Sequence, residues 1–355
     1  MIPNLPSERV LEILRRMLLT RRFEETCLSL IHEDIFPGHS PLYLGHTHVC
    51  IGQEATGAAV MAAIADDDIL YSTHRNHGHL LSRGADPGRA LAEILGKADG
   101  YCRGRAGSYH GCAPELNIPI SSGIVGNSLP IAVGTGLSFK VRKKPGIVVV
   151  MFGDGSLEEG AAHEALNLAS IWQVPTVFVC ENNSWADDDI HAVSPNPKGS
   201  LSVSQLTDIA ALYRIPTSIV DGKDIGVVYQ AVVEARERAI SGGGPTFIES
   251  RTHPWPGNTG ALSSSATATE SFAQTDIEQT WTDVPPQVSE RHRRWWDRGD
   301  PVLAMAREVV EAGLSSREEL RAMDTQVREE MARALGFAIE SPYPPEEEAW
   351  MFVWP

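Results

Sequence analysis

The second half of the chain alternates short apolar runs with longer amphipathic ones. Four runs rich in β-branched residues predict strands: GIVVVMF, PTVFVCE, PTSIVDG and PTFIESR. Three runs between them have the apolar spacing of helices: GAAHEALNLASIWQ, VSQLTDIAALYR and IGVVYQAVVEARERAIS. Strands that are apolar without alternation and are joined by helices are typical of a parallel sheet covered on both faces. The pattern therefore predicts an α/β fold built on a parallel sheet with helices on both faces.

Helical periodicity also describes both ends of the chain. The first predicted helix spans about Ser7 to Ile31, with Ser7 as its N-cap, and a charged helical stretch covers residues 300–340, with an N-cap at Ser315 or Ser316. A Gly- and His-rich section before the sheet contains two further helical runs, QEATGAAVMAAIA and PGRALAEILGKADG. We therefore expect an N-terminal helical arm at residues 1–35, the α/β domain at 36–285 and a C-terminal helical tail at 286–355.

The segment that follows the last predicted strand is rich in Ser, Thr, Ala and Gly and is much longer than a usual connection. Segments of this kind are either functional or disordered. Within residues 253–285 we expect an active-site loop, whose section 259–282 becomes ordered when a cofactor binds. Simple disorder of that section is the alternative.

Composition limits the function classes. The chain has 355 residues, of which 42% are hydrophobic and 21% are charged, and its formal net charge is −16. This mixture is globular, and the length allows one large domain or two modest ones. Nucleic acids and anionic membranes attract basic surfaces, so an acidic chain is not expected to bind either of them. An anionic ligand must instead be held locally.

Cysteine usage and the N-terminal sequence favour a soluble, cytoplasmic protein. The five cysteines are scattered without CxxC spacing, which favours reduced thiols over a zinc site, a disulfide framework or a redox role. The N-terminal residues are amphipathic and charged, and they contain neither the apolar core of a signal peptide nor a run long enough to span a bilayer.

Two polar motifs, GDG and ENN, end two successive predicted strands. GDG follows Phe152 and ENN follows Cys180, with one helix between them. In a parallel sheet, ligands bind beyond the carboxyl ends of the strands. Gly153 and Gly155 permit a tight turn and a close approach to a ligand, and a helix predicted to begin near Ser156 directs free N–H groups to the same place. We therefore expect an anion at this edge of the sheet.

The same motifs offer oxygen ligands for a metal ion. Asp154 contributes a carboxylate, Asn183 contributes a side-chain amide, and the main-chain carbonyl of Trp185 is a third candidate. Such a set suits Mg²⁺ or Ca²⁺ and does not suit zinc. Either motif alone is more often a simple turn, so the prediction depends on their joint spacing. Together they predict a diphosphate bridged by a metal ion.

The segment from GDG to ENN resembles the thiamine diphosphate signature. The whole chain is similar to the α subunit of the first component of 2-oxo acid dehydrogenase complexes, of the pyruvate, branched-chain or acetoin type. The motifs that support this resemblance occur in the order of that family: IGQEATGAAV, STHRNHGHLLSRG, GSYHG, GIVGNSLPIAVG, GDGSLEEGAAHEALNLASIW, ENNSW and SPYP. The resemblance implies a thiamine diphosphate cofactor held through Mg²⁺ by Asp154, Asn183 and the carbonyl of Trp185.

The resemblance also implies roles for other positions. Arg75 matches a diphosphate contact, and the family's Tyr before it is replaced by His74, which we also expect at the cofactor. The remaining cofactor-binding positions implied by the family motifs are Gly123, Val125, Gly155 and Ser156.

Histidines are abundant on the expected substrate side: His46, His48, His74, His77, His79, His110 and His253. We expect His74, His79 and His110 to act in catalysis, with packed or surface histidines as the simpler alternative. In the loop after the last strand, Pro256 and Asn258 stand where the family has two histidines. Asn cannot exchange a proton near neutral pH, so another group must perform any step that needs the imidazole at that position.

The resemblance implies partners as well. In the family, a β subunit supplies the Glu that activates the cofactor, and this chain has no room for a second domain of that kind. We therefore expect an α2β2 heterotetramer with active sites between α and β, and a lipoyl domain or an acyl carrier protein as the acceptor.

Three functions are compatible with these observations. The first is decarboxylation of a 2-oxo acid with transfer of the acyl unit to a lipoyl domain. The second is a transketolase-like transfer of a two-carbon ketol unit from a ketose phosphate to a carrier-protein thiol, suggested by His74 and Asn258. The third is a non-catalytic partner subunit, although the intact Asp154, Asn183 and Arg75 argue against it.

Overall fold

A six-stranded parallel sheet forms the centre of the molecule. The computed structural model of the chain describes residues 2–31, 47–184, 201–203, 205–255, 277–281 and 293–351. The strands follow the order β2-β1-β3-β4-β6-β5, and every neighbouring pair is parallel. Their bounds are β1 (Ile69–Thr73), β2 (Ile120–Ser122), β3 (Val148–Gly153), β4 (Thr176–Asn182), β5 (Thr217–Asp221) and β6 (Thr246–Arg251). The predicted α/β fold with a parallel sheet is confirmed.

The four strands predicted from the apolar runs are β3, β4, β5 and β6. Both faces of β3 and β4 are buried, which explains why their sequences show no polar alternation. No strand was predicted in the Gly- and His-rich section, yet β1 and β2 lie there. They have five and three residues. A three-residue strand gives almost no periodic signal, but β1 is as long as the predicted β5, so its length does not explain why it was missed.

Helices cover both faces of the sheet. In chain order they are α1 (Ser7–Ile31), α2 (Glu54–Ala63), α3 (His77–Arg83), α4 (Pro87–Ile94), α5 (Ser128–Arg142), α6 (Gly160–Trp172), α7 (Thr207–Leu212), α8 (Ile225–Ile240), α9 (Pro301–Glu311) and α10 (Arg317–Glu340). Val149 and Met151 belong to the hydrophobic cluster that includes α1, α2 and α8, whereas Val150 and Phe152 belong to the cluster that includes α5, α6 and α7. Successive strand residues therefore pack against opposite layers. None of the described helices is long and apolar enough to cross a lipid bilayer.

Helix α1 is confirmed with the predicted bounds, but Ser7 is its first helical residue and not its N-cap, because the amide of Val10 already donates to the Pro6 carbonyl. Val10, Leu14 and Met17 recur at helical spacing and are fully buried. Farther along the helix, the buried guanidinium of Arg21 donates to Glu54 Oε1 over 2.6 Å and to both carboxylate oxygens of Asp300 over 2.8 and 3.0 Å. These bonds join α1 to α2 and to the residue that precedes α9.

The C-terminal helices pack on the same core as the sheet. Ser316 caps α10 in a capping box with Glu319, which settles the two predicted N-cap candidates in favour of Ser316. Leu320, Val327 and Met331 of α10 belong to the hydrophobic cluster of α1 and the sheet. The boundaries predicted at residues 35 and 285 lie in segments outside the described residues, and they stay predictions.

Candidate active site

A cleft opens at the carboxyl ends of the central strands, where the sequence places its polar motifs. Its volume is about 150 Å³. The residues that line it come from the ends of β1 to β4, from the segments that follow them and, for Gln53, from the position before α2: Gln53, Thr73, His74, Arg75, Ser122, Ile124, Val125, Gly126, Ser128, Leu129, Phe152, Gly153, Asp154, Gly155, Ser156, Glu181 and Asn183. Seven predicted site residues are thus brought to one cleft: His74, Arg75, Val125, Asp154, Gly155, Ser156 and Asn183.

The GDG motif forms the turn after β3. A Cβ atom added to Gly153 or Gly155 would meet no other atom within 4 Å, so the backbone faces open space on this side. The prediction of an α-helix that begins near Ser156 is wrong. Residues Asp154–Glu158 form a 3-10 helix instead, and α6 begins only at Gly160. Glu159, in extended conformation between the two helices, separates them and explains the offset.

The ENN motif ends β4 beside the GDG turn, with Gly153 and Glu181 paired in the sheet register. The two asparagines point to different surroundings. Asn182 is buried, and its amide donates to Glu249 Oε1 on β6 over 3.0 Å. Asn183 lies one residue beyond the strand and lines the cleft together with Asp154. The cleft therefore contains a carboxylate and an amide from neighbouring strand ends, as the sequence predicted.

Burial acts on both principal charges of the cleft. It raises the pKa of Asp154 above the usual value, although hydrogen bonds from Ser184 and the backbone favour the ionised carboxylate. Burial also lowers the pKa of Arg75, while the carboxylates of Glu181 and Asp154 act in the opposite direction. The guanidinium of Arg75 donates to the Val49 carbonyl over 2.6 Å and remains charged at any ordinary pH. The cleft holds a carboxylate and a cation that are both poorly solvated.

His74 is held in an aromatic cluster at the side of the cleft. Its ring centroid lies 4.9 Å from that of His48 and 5.9 Å from that of Tyr109, both in edge-on contact. Burial, together with the charges of Arg75 and His48, lowers the pKa of His74 to about 3. The imidazole is therefore neutral near neutral pH.

His79 lies behind the cleft, where it is 3% exposed. Its Nδ1 shares a hydrogen bond of 2.7 Å with Ser72 Oγ, and its Nε2 is 3.3 Å from Glu181 Oε2. Glu181 itself lines the cleft. The structure thus places His79 where it orients Glu181, one side chain away from the cleft.

His110 and Gly123 lie next to each other outside the lining residues. His110 is exposed, and its Nδ1 accepts a hydrogen bond of 3.4 Å from the Gly123 amide. A Cβ atom at Gly123 would lie 3.2 Å from the His110 ring, so a glycine permits this contact. The structure brings both residues to the rim next to Ile124 and Val125, and their predicted roles stay predictions.

Several predicted positions lie outside the described residues. They are Trp185, His46, Pro256, Asn258 and most of the 259–282 loop, of which only residues 277–281 are described. Trp185 directly follows the last described residue of the ENN segment. The third metal ligand and the replacement of the family's loop histidines therefore remain sequence predictions.

Gln53 is a residue of the cleft that the sequence did not predict. Gln53 precedes α2, is 3% exposed and lines the cleft, and neither polar atom of its side-chain amide has a hydrogen-bond partner among the described residues. A buried amide without partners normally implies a missing ligand or water. The motif IGQEATGAAV contained the signal, but nothing in its periodicity assigns a role to this Gln.

Comparison with known proteins agrees with this geometry. Residues 15–257 match the family described as dehydrogenase E1 component. The chain belongs to the dehydrogenase E1 component family. Within this family it is of the α-subunit type of the thiamine diphosphate-dependent 2-oxo acid dehydrogenases.

Curated relatives of the E1 family match nearly the whole chain. The α subunit of acetoin:2,6-dichlorophenolindophenol oxidoreductase from Bacillus subtilis (strain 168) is 33% identical over 345 residues, which cover 97% of this chain and 93% of the relative. The α subunit of the pyruvate dehydrogenase E1 component from Zymomonas mobilis is 31% identical over 344 residues, which cover 97% of this chain and 88% of the relative. E1 family membership supports the first of the three functions and does not favour the other two.

Proposed function

We propose that this chain, together with a β subunit in an α2β2 heterotetramer, decarboxylates a 2-oxo acid and transfers the acyl unit to a lipoyl domain. The cofactor would be thiamine diphosphate, bound through Mg²⁺. The single observation that supports the proposal most is the presence of Asp154, Asn183 and Arg75 in one cleft at the carboxyl ends of neighbouring strands. We place the enzyme in the cytoplasm, in line with its charge and its scattered cysteines.

The residues of the cleft fit a metal-bound diphosphate. Asp154 and Asn183 offer only oxygen ligands, the type that Mg²⁺ prefers. The free space beside Gly153 and Gly155 lets a ligand approach the backbone closely. Arg75 supplies the nearby positive charge that a diphosphate requires. In the proposed site, Asp154, Asn183 and the carbonyl of Trp185 hold Mg²⁺.

The other site residues would bind the cofactor and orient it. Gly155, Ser156 and Arg75 would contact the diphosphate, and Gly123 and Val125 would line the rest of the cofactor. Bound thiamine diphosphate supplies the carbon nucleophile and the electron sink that cleavage next to a carbonyl needs. The β subunit would supply the Glu that activates it.

The proposed catalytic histidines have different surroundings and so different tasks. Neutral His74 can donate or accept one hydrogen bond at the cleft without adding charge. Exposed His110, at the rim, is free to meet the substrate or acceptor. His79 would act through Glu181, which it contacts, as a positioning residue.

Asp154→Ala tests the metal site. The variant leaves the diphosphate charge without the metal that offsets it, so we expect Mg²⁺-dependent thiamine diphosphate binding by the αβ complex to fall by more than about 100-fold. Isothermal titration calorimetry measures the affinity. The matched control is Glu164→Ala, which removes the same charge from an exposed position on α6 outside the cleft. Near wild-type affinity in Asp154→Ala would refute the metal assignment.

A donor screen with the αβ complex tests the reaction. Pyruvate, branched-chain 2-oxo acids, acetoin and ketose phosphates are offered separately, each with a lipoyl domain or a carrier-protein thiol as the acceptor. We expect release of CO₂ from a 2-oxo acid and acylation of the lipoyl domain. Turnover of ketose phosphates alone would overturn the decarboxylation proposal, and turnover of acetoin alone would replace the proposed donor.

A further inference from the structure

Two of the five cysteines touch each other. Cys102 Sγ lies 3.2 Å from Cys112 Sγ, although the residues are ten positions apart. The Cys102 thiol also donates to the Cys112 carbonyl over 3.7 Å. Both cysteines are partly exposed, whereas Cys27, Cys50 and Cys180 are buried. This pair is therefore open to reagents that the other three thiols do not meet.

The backbone on the Cys102 side is held by one buried carboxylate. Glu93, at the end of α4, accepts hydrogen bonds from the amides of Cys102, Gly104 and Ala106 over 2.7, 2.9 and 2.6 Å. Three amides converging on one carboxylate fix the conformation of this turn, and Glu93 is only 2% exposed. Cys102 is thus anchored to α4.

The backbone on the Cys112 side is anchored separately. The Ala113 amide donates to the Ile118 carbonyl over 2.8 Å. A Cβ atom at Gly111 would lie 2.9 Å from Asn76 Oδ1, so the chain passes close to the start of α3. Because both flanks are fixed, the two sulfur atoms stay in contact, within reach of a bond between them.

We propose that Cys102 and Cys112 form a reversible disulfide that constrains the segment between Ser108 and Cys112 at the rim of the cleft. The oxidant is a low-molecular-weight disulfide such as glutathione disulfide. Cys102 attacks one glutathione sulfur as the thiolate and releases one glutathione thiolate. Cys112 then gives its proton to the released glutathione thiolate and attacks Cys102 Sγ in the mixed disulfide, which releases the second glutathione as a thiolate that takes up a proton from water. Two protein thiols are oxidised and one glutathione disulfide is reduced to two glutathiones.

The chemistry of the pair favours Cys102 as the first nucleophile. The thiol of Cys112 hydrogen-bonds to Cys102 and lowers the pKa of Cys102, in spite of partial burial. The same contact raises the pKa of Cys112, which therefore keeps its proton until the second step. A thiolate next to a resolving thiol is the arrangement found in redox-sensitive sites.

The disulfide would act on the cleft through Tyr109 and His110. Ser108 is fixed, since its carbonyl accepts a bond of 2.9 Å from Asn76 Nδ2 and its hydroxyl shares one of 3.0 Å with His77 Nε2. Closing the sulfur contact to a bond of about 2.05 Å brings the sulfurs closer by roughly 1.1 Å. We expect part of the displacement to fall on Tyr109 and His110, and Tyr109 packs against His74.

The first experiment measures the bond without any activity. The purified αβ complex is equilibrated in a series of glutathione disulfide to glutathione ratios, alkylated under denaturing conditions and digested for mass spectrometry. We expect one disulfide-linked peptide pair from Cys102 and Cys112, reversed by dithiothreitol, while Cys27, Cys50 and Cys180 remain fully alkylated. The proposal is overturned if Cys102 and Cys112 remain alkylated at every ratio, or if Cys102 stops at the mixed disulfide with glutathione.

The second experiment tests whether the disulfide changes the activity of the cleft, and it rests on the proposed function. We expect the oxidised wild-type complex to turn over at least about twofold more slowly than the reduced one, because a displacement near 1 Å in a reacting site can change rates up to about 100-fold. Cys102→Ser removes the first nucleophile, so it forms neither the mixed disulfide nor the bond, and it should show the same turnover in both buffers. Equal turnover of oxidised and reduced wild type, or an equal loss in Cys102→Ser, would overturn the effect on the cleft, and the first experiment tests the disulfide separately.

Discussion

His74 shows how far its surroundings set the protonation of one residue. The folded chain lowers the pKa of His74 to about 3, whereas a His in an unfolded chain titrates near 6.5. Below pH 6.5 the unfolded chain binds a proton that the folded chain does not bind. Folding stability that is present above pH 6.5 is therefore lost as the pH falls from 6.5 toward 3.

This difference can be measured with His74→Gln, which has no imidazole. Between pH 7 and pH 5, we expect the wild-type chain to lose about 1–2 kcal/mol more unfolding free energy than the variant, because only the wild-type unfolded chain gains the extra proton. Urea denaturation at the two pH values gives both free energies. Equal losses in the two proteins would mean that His74 is protonated in the folded chain as well.

At the scale of elements, two glycines of α5 report on how closely this helix packs on the sheet. A Cβ atom at Gly136 would lie 2.6 Å from Thr176 Oγ1 and 3.1 Å from Val174 Cβ, at the start of β4. A Cβ atom at Gly134 would meet nothing within 4 Å, and this residue is exposed. Close packing therefore requires glycine at one of these positions only.

The two glycines form a matched pair for alanine substitution. Gly136→Ala should destabilise the chain by about 1–3 kcal/mol, because the added methyl group pushes α5 away from β4. Gly134→Ala should stabilise it by about 0.4–1 kcal/mol, because alanine is the better helix former and the methyl group has room. Thermal denaturation of both variants checks the opposite signs. Destabilisation by both would show that helix packing does not distinguish these positions.

The sequence predicted long elements well and short ones poorly. The apolar runs of β3 to β6 and the period of α1 are strong signals because many residues repeat them. Strand β2 has only three residues, and the turn after Asp154 is a 3-10 helix, which the spacing of apolar residues does not distinguish from an α-helix.

Prediction of the site from the sequence was limited in the same way. Asp154 and Asn183 follow strands whose ends can be read from the sequence, so their meeting could be predicted. Gln53 and the sulfur contact of Cys102 with Cys112 depend on how loops fold back on the sheet. Neither motif spacing nor periodicity contains that information, and the absence of a CxxC motif argued against a cysteine pair at all.

For the whole molecule, a hydrophobic cluster shared by the N-terminal helix, the C-terminal helices and one face of the sheet predicts cooperative unfolding. Helix α10 packs against the same hydrophobic cluster as α1 and the sheet, and Arg22 binds Asp324 on α10 through two bonds of 2.8 Å. Arg21 ties α1 to α2 and Asp300. We expect one thermal transition, with a calorimetric enthalpy equal to the van't Hoff enthalpy. Two resolved transitions would show that the C-terminal helices unfold as a separate unit.

Because Asp154 and Arg75 carry opposite charges, the binding of a metal ion and the binding of a diphosphate at the cleft should depend on each other. Burial disfavours the ionised carboxylate and the guanidinium cation alike, so each has free energy to gain from a counter-charge. A divalent cation alone offsets only the negative charge of Asp154, and a diphosphate alone offsets only the positive charge of Arg75. On the proposed function, the two ligands together leave neither charge alone, so each should raise the other's affinity by the same factor. The cleft would then select the metal–diphosphate pair over either ion by itself.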